Sequence, residues 1–334
     1  MSYNSVLVKT PLRISFFGGG TDFENFYTKY GSFILSCAID KFIYVIVKKG
    51  SFFYPDKFRI NYSSIEKVNN INLISNNIVR ETLKFFRIKE SLNITIINDI
   101  PAGSGLGSSS SFCLALIIAI NKLFNYQLRQ NQILNIAKKI EISKLKSPIG
   151  IQDYLPCLYG GFNFYNIKSN NQIYKKKINK NYEKKIFQSI CLVWTGSFRD
   201  ANEILKDQSR KDNNNTFELK QILNISKSIY KDLSDKKLDI KKFGVKLLET
   251  WNLKKKLSKK IFTSKLLKIE KQFSTINNIY GYKLLGAGGD GFYLIVCNKK
   301  SINKIRDTFG KNKVLIVNKY CHPAKAFYLN CFER

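Results

Sequence analysis

At about 150 residues per domain, a chain of 334 residues has room for two domains with sizeable cores, which excludes a disulfide-stapled mini-protein. Hydrophobic residues at 44% and charged residues at 24% lie near globular averages and exclude a fibrous or wholly disordered chain. Lys and Arg number 56 against 24 Asp and Glu, a formal charge of +32 that would attract nucleic acid, an anionic membrane or phosphorylated small molecules. Runs such as Lys175-Lys176-Lys177 and Lys254-Lys255-Lys256, set among Asn and Ile, read instead as a compositional bias carried on solvated faces.

Taken in chain order, residues 6–17 are apolar with β-branched members and predict a strand that stops at Gly18-Gly19-Gly20. Further strands are expected over 36–47 and 92–97. A helix is expected over 76–86 (Ile78, Val79, Leu83, Phe86), and another over 108–124, apolar nearly all round as for a helix buried between layers. A third, over 131–142, carries Ile133, Leu134, Ile136, Ala137 and Ile140 on one face. Residues 166–185 are Lys- and Asn-rich with little periodicity, which suggests an exposed hairpin or crossing near a domain boundary, placed near Lys185. Beyond it come a strand at 190–194, three Lys-rich helical stretches over 201–276, and strands at 282–285, 292–297 and 313–317, an α+β second half. No repeat of fixed period is present.

His322 is the single histidine, so two-histidine metal sites and an H-E-x-x-H zinc site are excluded, and acid–base work falls to carboxylates, Lys, Arg or hydroxyls. Seven cysteines include no C-x-x-C, and Cys37, Cys113, Cys191 and Cys297 sit in apolar runs; this predicts a reduced, cytoplasmic chain. No signal peptide is expected from residues 1–9. The longest apolar run, 112–120, is shorter than the about 20 residues of a membrane span.

Four segments carry chemistry. The run Asp99-Ile100-Pro101-Ala102-Gly103-Ser104-Gly105-Leu106-Gly107-Ser108-Ser109-Ser110-Ser111 follows a strand and opens the buried helix. Its glycines let backbone approach a ligand, and the helix start offers unpaired N–H groups and the positive dipole end, a cradle for phosphate. The hydroxyls of Ser108, Ser109 and Ser110 could cap the helix, bond phosphate or ligate Mg²⁺. No G-K-[ST] follows, so it is not a Walker A loop, nor is it the G-x-G-x-x-G of protein kinases. The second segment is Ser147-Pro148-Ile149-Gly150-Ile151-Gln152-Asp153, preceded by Glu141; two carboxylates there could divide phosphoryl transfer, one holding metal and one orienting a hydroxyl. The third, Gly286-Ala287-Gly288-Gly289-Asp290-Gly291, satisfies G-x-G-x-x-G but is followed by a strand pattern, which refuses a dinucleotide reading and predicts a hairpin. The fourth, from Pro11 to Asp22, sets Arg13 inside a strand, where it needs an anionic partner, and Asp22 past a glycine turn, able to accept from sugar hydroxyls.

In this order, P-L-R…G-G-G-T-D, P-A-G-S-G-L-G-S-S-S and K-L-L-G-A-G-G-D-G-F resemble the three motifs of the GHMP kinase superfamily (galactokinase, homoserine kinase, mevalonate kinase, phosphomevalonate kinase). The resemblance implies an α+β GHMP kinase fold: an amino-terminal ATP-binding domain, residues 1–185, with a left-handed βαβ unit, and a ferredoxin-like carboxy-terminal domain, residues 186–334. It implies ATP on Gly103, Ser104, Gly105, Leu106, Gly107, Ser108, Ser109 and Ser110; Mg²⁺ on Ser109 and Glu141; and Asp153 and Arg13 as catalytic residues. Gly20, Thr21, Asp22, Gly288 and Gly289 fall to the substrate. Asp290 departs from the family, where Gly is usual, and a carboxylate there would repel phosphates unless turned away.

Within the superfamily, P-L-R-I-S-F-x-G-G-G-T-D-F, the G-I-Q-D and G-G-F-N pair, and Thr195-Gly196 followed by Arg199 are most similar to D-glycero-D-manno-heptose 7-phosphate kinases. These make the 1,7-bisphosphate for nucleotide-activated heptose and surface glycans. Arg199 would then recognise the sugar's own phosphate. The competing expectations are a kinase for fucose, a galactose-type hexose or unphosphorylated heptose, and, from another class, a basic nucleic-acid-binding protein. The kinase reading predicts a small-molecule sugar phosphate as partner, with neither nucleic acid nor membrane.

Overall fold

The computed structural model describes residues 4–51, 53–197, 204, 215–235 and 237–329. The first half runs β1 (Ser5–Phe17), α1 (Glu24–Tyr30), β2 (Ser32–Lys49), β3 (Phe58–Asn61), β4 (Ile65–Val68), α2 (Asn77–Phe85), β5 (Leu92–Asn98), α3 (Ser108–Leu123), α4 (Gln130–Lys138), α5 (Leu155–Tyr159), β6 (Phe162–Ile167), β7 (Ile173–Lys177) and α6 (Lys180–Gln188). Then follow β8 (Ile190–Trp194), α7 (Thr216–Ser234), α8 (Ile240–Lys256), α9 (Ser264–Ser274), β9 (Ile279–Leu284), β10 (Phe292–Cys297), α10 (Ser301–Phe309), β11 (Val314–Leu315) and β12 (Lys325–Tyr328). Among the described residues, no helix is long and apolar enough to cross a membrane.

The first sheet has the order β12-β1-β2-β5-β3-β4, with β6 on the other part of long β2 and β7 beyond it. Its strands pair antiparallel except β3 with β5, whose parallel pairing requires a crossover; β4 and α2 lie in that connection. Strand β1 shifts register against β2 on both sides of Arg13, between Pro11 and Arg13 and between Ser15 and Phe17. Such bulges bend a strand and re-aim its side chains.

Helix α3 explains its own unbroken apolar sequence. One side (Phe112, Ala115, Leu116, Ala119, Ile120) packs into the cluster holding the inner residues of the first sheet, and another (Cys113, Leu114, Ile117) packs against Ile133, Leu134, Leu155 and Leu158. A helix between two apolar layers has no face left for polar residues, and each buried Leu or Ile contributes about 1.5–3 kcal/mol. Its fixed core seat positions its amino terminus.

The second sheet has the order β11-β8-β10-β9, all antiparallel. Strand order and the succession β8, helices, β9, β10, α10, β11 give the ferredoxin-like arrangement that the family resemblance implied. The mixed α+β class is also as expected. Lys185, where a boundary was expected, lies inside α6, and β12 returns from the carboxy-terminal end to pair with β1. The expected late hairpin is β9 and β10, joined through the glycine run. The expected helix over 131–142 ends its α-helical part at Lys138 and continues as a π-helical turn, Lys139–Lys144. The weakly patterned 166–185 stretch forms β7, paired to β6, and then α6.

Helix α8 is held on β9 by two glycines. A methyl group on Gly281 would fall 1.8 Å from the carbonyl oxygen of Gly244, and one on Gly244 would fall 2.5 Å from Cβ of Tyr280. Gly281→Ala is therefore expected to push the helix off the sheet and lower unfolding free energy by about 1–3 kcal/mol. Urea denaturation measures this, and an unchanged midpoint would contradict so close a contact.

Candidate active site

The bend before α3 has three glycines in the left-handed region: Gly103, Gly105 and Gly107, with φ of 76°, 81° and 78°. Gly107 is the N-cap and offers no side chain to the first-turn amides. The buried hydroxyls of Ser104 and Ser108 lack a hydrogen-bond partner in the described structure. Unpaired amides, buried hydroxyls and a helix dipole converge at one end of α3, an arrangement suited to a phosphate.

The late glycine run braces this bend backbone to backbone. A methyl on Gly105 would meet the Leu285 carbonyl oxygen at 2.6 Å, one on Gly286 would meet Cα of Gly105 at 2.5 Å, and one on Gly291 would meet the Ser104 carbonyl oxygen at 2.7 Å. The Phe292 amide donates to the Ser104 carbonyl at 3.2 Å. Glycine at these positions is thus required by contact as well as by turn geometry.

Arg13 ties the bend to the next carboxylate. Its backbone N–H donates to the Leu106 carbonyl at 3.0 Å, and Nη1 donates to the Gly105 carbonyl at 2.6 Å. Nε and Nη2 both donate to Oδ1 of Asp153, at 2.9 and 2.7 Å. The guanidinium is buried, while Asp153 keeps 17% of its side chain exposed. The expected anionic partner of the strand arginine is therefore Asp153, 140 residues away.

Asp22 is buried and accepts from the Gly20 amide (2.9 Å), the Gln152 amide (3.1 Å) and Gln152 Nε2 (3.2 Å). Burial, reinforced by the charge of Asp153, raises its pKa to about 7 against those hydrogen bonds. Gln152 in turn accepts from Ser15 Oγ at 2.7 Å. A methyl on Gly150 would fall 1.7 Å from Asp22 Oδ2, so the G-I-Q-D glycine makes room for this carboxylate.

One cavity gathers Arg13, Ser15, Gly19, Gly20, Asp22, Gln152 and Asp153 from the first half with Thr250, Lys254, Lys283 and Leu285, Gly286 and Ala287 from the second. Lys254 corrects an expectation: its run was read as solvated, yet it is only 9% exposed and donates to the Gly286 carbonyl. Burial, then the charge of Arg13, lowers its pKa to about 8. Lys283 donates to the Phe16 carbonyl at 2.6 Å, and burial holds its pKa well below the usual lysine value. Sequence reasoning missed Ser15, Gln152, Lys254 and Lys283 as site residues. Only Gln152 had a signal, its place beside Asp153.

Thr21, one of the expected substrate residues, turns inward, donating to the Gly18 carbonyl and sharing a hydrogen bond with Ser32. Gly289 donates to the Ile261 carbonyl and Gly288 abuts Ile261; neither lines the cavity. Asp290 pairs with Lys265 at 2.9 Å and accepts from Thr195 at 3.2 Å, away from the cavity lining, so its charge is matched. Arg199 lies outside the described residues.

Behind the bend, Glu141 is buried on the π-helical turn and accepts from Ser109 Oγ at 2.6 Å, while its Oε2 has no partner in the described structure. Burial raises its pKa to about 7. A second cavity beside it is lined by Ile43, Tyr62, Ile78, Ile96, Asn98 and Phe112 together with Gly103, Ser108 and Ser109. It is mostly apolar with a few polar groups, the composition of a small-molecule pocket.

Residues 74–161 match the family described as the GHMP kinases N terminal domain. The chain is similar to a Campylobacter jejuni D-glycero-alpha-D-manno-heptose 7-phosphate kinase, 26% identical over 90% of this chain and 92% of the relative. It is also similar to a Methanocaldococcus jannaschii mevalonate kinase, 26% identical over 94% of this chain and 98% of that protein. In fold it matches a crystal structure of a D-glycero-D-manno-heptose 1-phosphate kinase from Bacteriodes thetaiotaomicron, with a TM-score of 0.74 at 20% identity over 96% of this chain and 98% of that one.

The raised pKa of Asp22 fixes a sign. A carboxyl that holds its proton up to about pH 7 when folded, but only to about 4 when unfolded, favours the fold at low pH. That contribution is fully present below the unfolded value and is lost as pH rises through 7. Between pH 5 and pH 8 the wild type should lose stability relative to Asp22→Asn, measured by urea denaturation of both proteins. Parallel stability curves would contradict the buried-carboxyl assignment.

Proposed function

Because this chain carries a GHMP kinase N-terminal domain within a GHMP kinase fold, we propose that it transfers the γ-phosphoryl group of ATP to the anomeric hydroxyl of D-glycero-D-manno-heptose 7-phosphate. The observation that carries the transfer is the Arg13–Asp153 pair, bonded on one side to the carbonyl of Gly105 in the bend and opening on the other to the cavity that Asp22 shares. The similarity to the Campylobacter relative over nine-tenths of the chain supports the heptose substrate.

On this reading the apolar cavity beside the bend takes the adenine, and the amides and hydroxyls from Gly103 to Ser110 hold the phosphates. Residues 1–185 supply this nucleotide side, and residues 186–334 supply the far wall of the sugar cavity. Both Arg13 bonds fall on Oδ1 of Asp153, which leaves Oδ2 to orient the sugar hydroxyl and accept its proton as that oxygen bonds to the γ-phosphorus and the bond to the bridging oxygen breaks, releasing ADP. Gly20 and Asp22 face the sugar, while Thr21, Gly288 and Gly289 shape the turns behind it. Arg199 is the proposed contact to the sugar's own phosphate.

The residues fit a magnesium ion. A buried carboxylate oxygen without a partner, beside a serine hydroxyl, is a hard-oxygen donor set, and Mg²⁺ usually takes one or two carboxylates plus substrate phosphates. Glu141 and Ser109 would hold it, and a cation there would favour the ionised carboxylate. When bound, the ion neutralises charge on the phosphate oxygens.

Asp153→Asn should lower kcat by about 10²–10⁴-fold with little change in nucleotide affinity, measured by coupled ADP release and by calorimetry with ADP. Wild-type turnover in that variant would remove Asp153 from the chemistry. The substrate assignment is tested by comparing kcat/KM on heptose 7-phosphate with that on free heptose, fucose, galactose and mevalonate; a higher value for any of the latter overturns it.

A further inference from the structure

We propose, resting on the kinase reading above, that Lys254 is a second catalytic cation, whose ammonium contacts the γ-phosphoryl group of ATP from the side opposite Arg13. The placement comes from two glycines. The Lys254 ammonium donates to the carbonyl of Gly286, whose backbone lies against Gly105, and the carbonyl of Gly105 accepts from Arg13 Nη1. One glycine pair therefore separates two cations that flank the bend before α3. Lys254 arrives there from the last turn of α8, a helix of the second half of the chain.

The charges around the cavity are not balanced without an incoming anion. Among the described residues its titratable lining comprises Arg13, Asp22, Asp153, Lys254 and Lys283. Arg13 and Asp153 neutralise one another through two hydrogen bonds. Asp22 spends its oxygens on two backbone amides and the Gln152 side chain, and burial raises its pKa to about 7, so it carries only part of its charge near neutrality. Lys283 is turned to the Phe16 carbonyl on the bulged strand, and burial favours its neutral form more strongly still. The described contacts of the Lys254 ammonium are the Gly286 carbonyl and the Trp251 ring at 6.0 Å. Among the described residues no carboxylate pairs directly with this nine-tenths-buried ammonium, which feels Asp153 and Asp22 only at longer range, and such burial is costly unless an anion joins it. A terminal phosphoryl group held by the bend is that anion. In its loose transition state, charge on the phosphoryl oxygens is met by positioned cations, and little covalent work is left to the protein.

The decisive contrast is between nucleotides with and without the third phosphate. Lys254→Met keeps the length of the side chain and removes its charge. Calorimetry in Mg²⁺ should show the variant binding ADP as the wild type does and the non-hydrolysable triphosphate AMP-PNP about tenfold more weakly. Its kcat should fall by about 10²–10³-fold with the KM for sugar phosphate little changed. Equal losses for ADP and AMP-PNP would overturn the proposal and leave Lys254 a brace for the Gly286 loop. Unchanged AMP-PNP affinity with a raised sugar-phosphate KM would overturn it too, assigning the ammonium to the sugar's own anion. Lys254→Gln read by the same ratio stands in should the Met variant fail to fold. The kinase reading itself fails separately, if the wild type binds neither nucleotide.

Discussion

Two glycine bends in backbone contact hold the site together. Gly105, ahead of the buried helix α3, lies against Gly286 at the tip of the β9–β10 hairpin, with no space at either position for a methyl group. The carbonyl of Gly105 accepts from Arg13 and that of Gly286 from Lys254, so a single contact fixes where both cations stand. Side chains at these positions would strain the left-handed backbone and separate the two sheets at the point where the cavity lies between them.

From that contact the charge pattern follows. Arg13 reaches a carboxylate from the segment after Gly150, and the same segment folds over Asp22, so residues 13, 22 and 153 become neighbours. Removing five titratable groups from water raises the acid Asp22 and lowers the bases Lys254 and Lys283, all three shifts led by burial. Burial thus brings the pKa of Asp22 to about 7 and that of Lys254 to about 8, so an incoming anion or hydroxyl meets two groups whose protonation changes at small cost.

Much of this was legible in the sequence where local chemistry is distinctive. The glycine and serine bend announced itself by its place between a strand pattern and an apolar helix, and α3, β1, β5 and β10 appear close to their expected bounds. The pairing of β9 with β10 followed from the strand pattern after the late glycine run. Residues whose meaning is tertiary were not legible. Lys254 sits in a run of three lysines that looks solvated, and only the packing of α8 on β9 through Gly244 and Gly281 turns it inward. Lys283 is one polar residue in an otherwise ordinary strand. Strand β12 has half-exposed residues and no apolar alternation, and it exists because β1 offers an edge. The +32 charge stayed ambiguous by composition, and the structure places three of its basic residues, Arg13, Lys254 and Lys283, around one cavity.

The seat of the phosphates is the claim on which all the chemistry turns, and a crystal structure of the protein grown with AMP-PNP and Mg²⁺ tests it most directly. The triphosphate should lie against the amides of Gly105 to Ser109, its terminal phosphorus facing Asp153. Density for the nucleotide in any other cleft, with the bend left bare, would contradict the account.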